Sequence, residues 1–478
     1  MNFTSYEFIV FFGLVLLVMG CLRNFSLQKW FLLAASCAFY LTWNVPCLAL
    51  ILFTAVTDFF LARKISTTPE PGPRQRLLVT SLVLNLGLLA FFKYANFILD
   101  NIAAVLGLVG CHVGPWHLNI ILPPAISFYT FASLSYMLDV YYERMPACES
   151  VRDYTLFITF FPKLLSGPIV RARELLPQFQ TRPTVTTEDV EVGLTYFMMG
   201  AVKKLVIADQ VAPHVNLIFT NPGQYDGFTL ALGALGYAIQ IYCDFSGYTD
   251  MAIGCGRVMG FRFPDNFKMP YSSGNITEFW RRWHITLSQW FRDYLFLPLE
   301  IITRNNPSPM LRVSINMMIT MLLCGLWHGA SWTFVIWGGI HGAALSIHKI
   351  WTVKNPLAAL QPYRWFQLLW GGFSHVLTLG VVVLGLVFFR AQSITDAMVF
   401  LKRTFTWAHG GTHLVSPYIL AAVAGLFLVH VVLQKDRNFA EELPKMSLLP
   451  RIIGYASLLL LLVVLGATDS STFIYFQF

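Results

Sequence analysis

Long apolar runs broken by brief polar stretches dominate the chain, and their lengths predict helices rather than strands. Runs at 9–21, 77–92, 97–111, 192–207, 228–242, 249–260, 365–389, 418–433 and 452–465 each read as a helix in a bilayer, with a shorter apolar element at 211–219. The run 30–62 is too long for one span of ~20 residues, and Asn44 and Pro46 interrupt it, so it predicts a helical hairpin turning near Pro46. A basic, proline-rich stretch at 63–76 follows. Its Arg63, Lys64, Arg74 and Arg76 put it on the cytoplasmic side and the N-terminus outside. The run 120–142 carries Pro123, Pro124, Ser127, Thr130, Ser133, Ser135 and Asp139, too polar a set for a lipid-facing helix, so it belongs in the interior. The run 154–165 ends in SGPIVR, and Pro162, Gly167 and Pro168 predict a broken or re-entrant element beside a cavity. Between 228–242 and 249–260, CDFSGYTD reads as a turn that sets Asp244 and Asp250 against hydrophobic helices, with Arg257 or Arg262 as the expected partner.

Two segments depart from the plain apolar pattern. From 277 to 294 the chain turns amphipathic: Trp280, Trp283, Leu287, Trp290, Phe291 and Tyr294 form one helical stripe, while Arg281, Arg282, Ser288, Gln289 and Arg292 lie largely off it. Thr277 is the expected cap, with Glu278 in the first turn. Pattern alone favours a helix lying at the membrane interface. His284 flanks the stripe with Ser288 one turn on, which anchoring does not require. Further on, Arg312, Asn316, Thr320, Cys324 and His328 recur every fourth position, a polar ridge that must face protein or a wet cavity. For Asn316, Thr320 and Cys324 the alternative is interhelical glue. The segment 324–349, CGLWHGASWTFVIWGGIHGAALSIHK, then holds His328 within an apolar stretch, and an ionisable group at bilayer depth is a functional candidate by default. Gly325, Gly329, Gly338, Gly339 and Gly342 let a backbone or a ligand approach that imidazole. Arg390, directly after two phenylalanines, reads as an interfacial anchor that snorkels.

Composition fixes the class. The 478 residues are 56% hydrophobic and 12% charged, against about 25% charged in soluble domains, and the mean hydropathy is +0.59. This is a polytopic integral membrane protein. The formal net charge of +8 suits cytoplasmic loops that meet anionic headgroups, and no basic face on a soluble fold points to nucleic acid. Eight scattered cysteines with no CxxC spacing predict reduced, buried thiols, with neither disulfides nor a metal site. The first residues lack the basic region of a signal peptide, so the first apolar run is expected to stay as an anchor. No Walker loop and no HExxH is present, which argues against an ATPase or a membrane metalloprotease.

The stretches GLWHGASWTFVIWGGIHG, YCDFSGYTDMAIGCGRVMGFRFPDNFKMPYSSGNITEFWRRWHITLSQWFRDYLFLPL, LNLGLLAFFKYANF, ISFYTFASLSYMLDVY and FFPKLLSGPIVRARELLPQF closely resemble the membrane-bound O-acyltransferases. The nearest branch is that of alginate O-acetyltransferase and its exopolysaccharide-acetylating relatives, with teichoic acid D-alanyl transferase as a cousin. The likeness runs from about Trp30 to the terminal FIYFQF. It implies an all-α fold of roughly 11–13 transmembrane and re-entrant helices. In that fold a ring of tilted helices surrounds a thinned centre, where an extracellular funnel meets a cytoplasmic donor entrance. A single domain over 1–478 is expected, with core motifs at about 120–350 and peripheral helices at 1–115 and 360–478. His328 in WHG matches the family's catalytic histidine, and His284 in RRWH its second characteristic histidine. One departure stands out: relatives often follow DYLFLPL with a GGNR-like turn, where this chain has Leu299, Glu300, Ile301, Ile302, Thr303, Arg304, Asn305 and Asn306.

These readings lead to one expected chemistry. A neutral imidazole shielded from water suits base catalysis near pH 7, so His328 is expected to take the proton of an acceptor hydroxyl as it attacks a thioester. Asn316 or His284 is the candidate donor to the developing oxyanion, and Trp283 and Trp327 complete the substrate contacts. Arg281, Arg282 and Lys268 are candidates for the donor's phosphates, against ordinary contact with lipid headgroups. The expected donor is acetyl-CoA as a substrate, with no cofactor. The expected acceptor is an exported polysaccharide, as in alginate or cellulose acetylation, or a periplasmic acetyltransferase partner, and the expected location is the bacterial inner membrane. The alternatives are a transporter of acyl groups or polymer without chemistry, D-alanyl transfer to teichoic acid, and a scaffold that recruits an acetylating partner.

Overall fold

In the computed structural model every regular element among the described residues is helical. The structure describes residues 1–478 except 112–113, 115–116, 166, 433–437, 468–472 and 475–478. Ser166 and Leu433 of the expected elements, and most of the terminal FIYFQF, lie outside the described residues. Among the described residues six helices are long and apolar enough to cross a membrane: Val45–Thr67, Pro71–Leu108, Gly227–Val258, Pro309–His328, Arg364–Arg390 and Leu448–Leu465. The most buried of them is Gly227–Val258, whereas Leu448–Leu465 exposes its whole length, as a helix solvated by lipid would. The protein is therefore an all-α, multi-pass membrane protein.

The chain divides into two compact units, 1–197 with 249–264, and 198–248 with 265–478. In the first unit, Phe25–Leu41 and Val45–Thr67 form the expected hairpin, and Pro46 sits in the first turn of the second helix, where its missing N–H is harmless. The basic stretch is mostly helical, since Val45–Thr67 runs through it and Pro71–Leu89 starts within it. The expected break before Phe97 is also missing, because a π-helical turn, Ala90–Tyr94, carries the helix on into Ala95–Leu108. Asp58 is fully buried and accepts hydrogen bonds from Ser81 (2.6 Å) and Asn85 (2.9 Å), so the neighbouring helix Pro71–Leu89 satisfies a carboxylate that lipid could not. The helix Ile126–Tyr141 is buried on nearly all sides, as its polar content requires. After it the chain breaks at Phe160 between Val151–Thr159 and Phe161–Leu164, the interrupted element that the prolines predict.

The expected turn CDFSGYTD is instead continuous helix within Gly227–Val258. Gly247 lies so close to the Gly200 carbonyl that a Cβ would collide with it, so the glycine serves helix packing rather than a bend. Nor do Arg257 and Arg262 neutralise Asp244. They face Asp189 at 2.8 and 3.7 Å, whereas Asp244 pairs with Lys204 at 2.7 Å. Lys204 also meets Asp209 at 2.8 Å.

In the second unit the amphipathic stretch is two short helices, Ile276–Arg282 and Ile285–Phe291, joined at Trp283 and His284. Asn275 rather than Thr277 caps the first, its side chain accepting from the Glu278 N–H. Trp280, Trp283, Leu287, Trp290, Phe291 and Tyr294 are all buried by protein, which overturns the interfacial anchor. The stripe meets neighbouring helices, among them Trp332–Lys354. Arg390 does not simply snorkel either. It donates to Asn216 Oδ1 at 2.7 Å and lies over the Phe219 ring.

Candidate active site

The second unit holds the histidine that the sequence singles out. The helix Pro309–His328 starts on a proline in its first turn and carries the fourfold ridge, of which Asn316, Thr320, Cys324 and His328 are buried. It ends at His328. Gly329 is extended, and Ser331 caps the next helix, Trp332–Lys354, by accepting from the Thr333 N–H. The 324–349 stretch is thus a tight helical hairpin with the imidazole at its turn, not one continuous span. Its two arms pack backbone to backbone, for a Cβ on Gly325 would strike the Phe334 carbonyl and one on Gly338 the Met321 carbonyl.

His328 is 4% exposed, and its ring lies 4.9 Å from Trp327, 4.9 Å from Trp337 and 5.2 Å from Phe389, centroid to centroid. It lines a small cavity with Trp283, Phe279, Trp337, His341 and Phe389 among its walls. An enclosed imidazole set in aromatic rings is held in place and kept from bulk water, as a positioned base requires.

His284 lies one ring away: its centroid is 6.2 Å from Trp327, which in turn touches His328. It is fully buried and sits in the left-handed region at φ 41°, an uncommon conformation for a residue with a side chain. Asn266 explains how that conformation is held. Its Oδ1 accepts from His284 Nδ1 (3.1 Å), the Thr286 N–H (3.2 Å) and the Thr286 hydroxyl (2.8 Å), and its carbonyl accepts from the Ile285 N–H. A donor at Nδ1 leaves Nε2 as the lone-pair nitrogen. With no solvent to stabilise charge, burial pushes the His284 pKa down to about 3, so the ring is neutral at physiological pH.

The remaining expected residues divide. Trp283 lines the cavity, and Trp327 separates the two histidines. Asn316 is elsewhere: twelve residues down a helix is about 18 Å, and its side-chain amide donates to Glu300 (2.6 Å) and Thr303 (2.8 Å). Glu300 also meets Arg312 at 3.3 Å, so the segment that replaces the GGNR-like turn is fastened to the base of this helix. Arg282 is engaged by Glu278 at 3.0 Å and Lys268 by Asp265 at 3.2 Å, while Arg281 is exposed; none of the three lines the cavity. Sequence reasoning passed over Asn266, Trp337 and His341. The signal for His341 was there, since it is an ionisable residue in the same apolar stretch as His328.

Comparison with known proteins adds a second line of evidence. The profile of the membrane-bound O-acyltransferase (MBOAT) family matches residues 149–389. The chain is 39% identical to the probable alginate O-acetylase AlgI of Pseudomonas aeruginosa, over 91% of this chain and 80% of that one. It is 36% identical to the probable alginate O-acetylase AlgI of Pseudomonas putida over the full length of both. It is also 36% identical to the peptidoglycan O-acetyltransferase of Helicobacter pylori, over 80% of this chain and 74% of that one.

Proposed function

Because this chain belongs to the membrane-bound O-acyltransferase family and is an O-acyltransferase, we propose that it moves an acetyl group from a cytoplasmic thioester, acetyl-CoA, to a hydroxyl of an exported polysaccharide. The acetyl group is common to the names of the alginate and peptidoglycan relatives, and in both the acceptor is a glycan. The exported polymer receives the group directly or through a periplasmic partner protein, and the bacterial inner membrane is the location at which a cytosolic thioester and an exported polymer meet.

The observation that carries the mechanism is the burial of His328 at the hairpin turn, on a cavity whose other walls are mostly aromatic or aliphatic. The acceptor oxygen attacks the thioester carbonyl carbon as His328 takes its proton. The carbon–sulfur bond breaks, and the imidazolium returns the proton to the departing thiolate, giving an ester and a free thiol. His284, one ring behind, is held neutral by burial and oriented by Asn266. That makes it a positioning group for the Trp327–His328 pair. Replacing His328 with alanine is expected to abolish transfer, measured as thiol release by the purified protein and as acetylation of the exported polymer. Full acetylation by a stably inserted His328→Ala protein overturns the assignment. A pure transporter releases no thiol in the same assay.

A further inference from the structure

We infer that the cavity beside His328 receives the acyl group itself, with Trp337 and His341 as hydrogen-bond donors to its carbonyl oxygen, and that it therefore takes a small uncharged acyl group and rejects an aminoacyl one. The inference rests on the reading of His328 as the base. Trp337 and His341 stand four residues apart on the helix Trp332–Lys354, so both face the same way. Their ring centroids are 4.8 Å apart, and both residues line the cavity. Trp337 Nε1 and His341 Nδ1 are buried without a hydrogen-bond partner among the described residues. Buried polar atoms in that state destabilise a fold unless a ligand supplies the missing partner.

The other walls define what that ligand can be. Ile241, Val382, Leu386 and Phe389 present only carbon, and the Tyr271 hydroxyl is already donated to the Ala238 carbonyl at 2.6 Å. A ligand that fits is apolar apart from one acceptor atom, which describes an acetyl group with its methyl on the aliphatic side and its oxygen toward Trp337 and His341. No carboxylate lines the cavity among the described residues, so the ammonium of an aminoacyl group would be desolvated with nothing to pair it. Gly385, on the helix Arg364–Arg390, fixes the geometry: a Cβ there would stand 3.0 Å from His341 Nε2 and 3.2 Å from Trp337 Cδ1, so both rings rest against bare backbone.

These positions assign the two donors to the step in which charge moves. As the hydroxyl oxygen bonds to the carbonyl carbon and His328 takes the proton, the carbonyl electron pair moves onto oxygen. Trp337 Nε1–H, with the His341 N–H, meets that oxyanion until the carbon–sulfur bond breaks and the thiolate recovers the proton. Donors aimed at the developing charge act on kcat rather than on ground-state binding.

The test uses full-length protein in detergent, with acetyl-CoA as donor and kcat and KM read separately. Trp337→Phe, which keeps the ring and removes the N–H, is expected to lower kcat about 100-fold, the scale of losing one oxyanion donor, with KM little changed. His341→Phe should fall similarly, and His341→Gln, which restores a donor, should recover part of the loss. Wild-type protein should turn over glycyl-CoA at least 100-fold more slowly than acetyl-CoA. Wild-type kcat in both phenylalanine variants, with His328→Ala inactive, sinks this inference and leaves the base assignment standing. Activity in His328→Ala sinks both, and equal turnover of glycyl-CoA and acetyl-CoA removes the selectivity claim.

Discussion

At the scale of single residues, His284 and Asn266 act as one unit. One amide oxygen accepts from the ring, the Thr286 N–H and the Thr286 hydroxyl, and the backbone pays a left-handed φ to bring the imidazole there. Asn266→Ala is therefore expected to release the ring and cut turnover at least tenfold, while Asn266→Asp, which keeps the acceptor, should retain more activity. The depressed pKa also has a sign. Between about 3 and 6.5 the unfolded chain binds a proton at His284 that the folded one does not, so stability rises with pH across that window and levels off above it. Thermal unfolding in detergent at pH 7 and pH 5 should show wild type losing more stability on acidification than His284→Phe does. Equal losses would mean the ring is solvated. RRWH marked His284 as worth attention, but Asn266 lies 18 residues earlier in a loop, and no local pattern announces a partner made by tertiary contact.

At the scale of elements, periodicity was informative where side chains alone decide the outcome. The fourfold recurrence of Arg312, Asn316, Thr320, Cys324 and His328 does mark one helix, and the glycines of the following stretch do mark close backbone approach. The same reasoning failed for the tryptophan stripe, because a pattern of apolar positions does not say whether lipid or protein covers them. It failed for the break at Trp283–His284, where no proline or glycine stands to announce it. It also failed at CDFSGYTD, whose turn-forming residues are claimed by the Lys204 ammonium and by the close approach of Gly247 to Gly200. The hairpin that presents His328 gives the element-scale prediction. Gly338→Ala drives a methyl into the Met321 carbonyl and must push the two helices apart. Overpacking of this kind costs about 1–3 kcal/mol, and it should lower the unfolding temperature. It should also reduce kcat, because the shift moves Trp337 relative to His328. Gly371→Ala, with open space around it, is the control and should change neither.

At the scale of the molecule, membrane class was legible from composition, whereas what joins distant parts of the chain was not. Within the second unit, Lys204 is buried between Asp209 and Asp244, and Asp244 Oδ2 accepts the Ile474 N–H at 2.8 Å. Two carboxylates, from positions 209 and 244, thus meet one ammonium, and the second of them ties in Ile474; sequence alone reads the helix that carries Lys204 as an ordinary apolar span. A buried pair of this kind adds little net stability over apolar substitutes, but breaking it from one side leaves charge stranded, at about 3–5 kcal/mol. Lys204→Met should accordingly lower the unfolding temperature sharply, read by thermal unfolding in detergent. The triple variant Lys204→Met, Asp209→Asn, Asp244→Asn removes the stranded charges together and should regain much of the lost stability. If the triple variant is no more stable than Lys204→Met alone, the ammonium contributes packing rather than neutralisation, and the charge argument for this cluster fails.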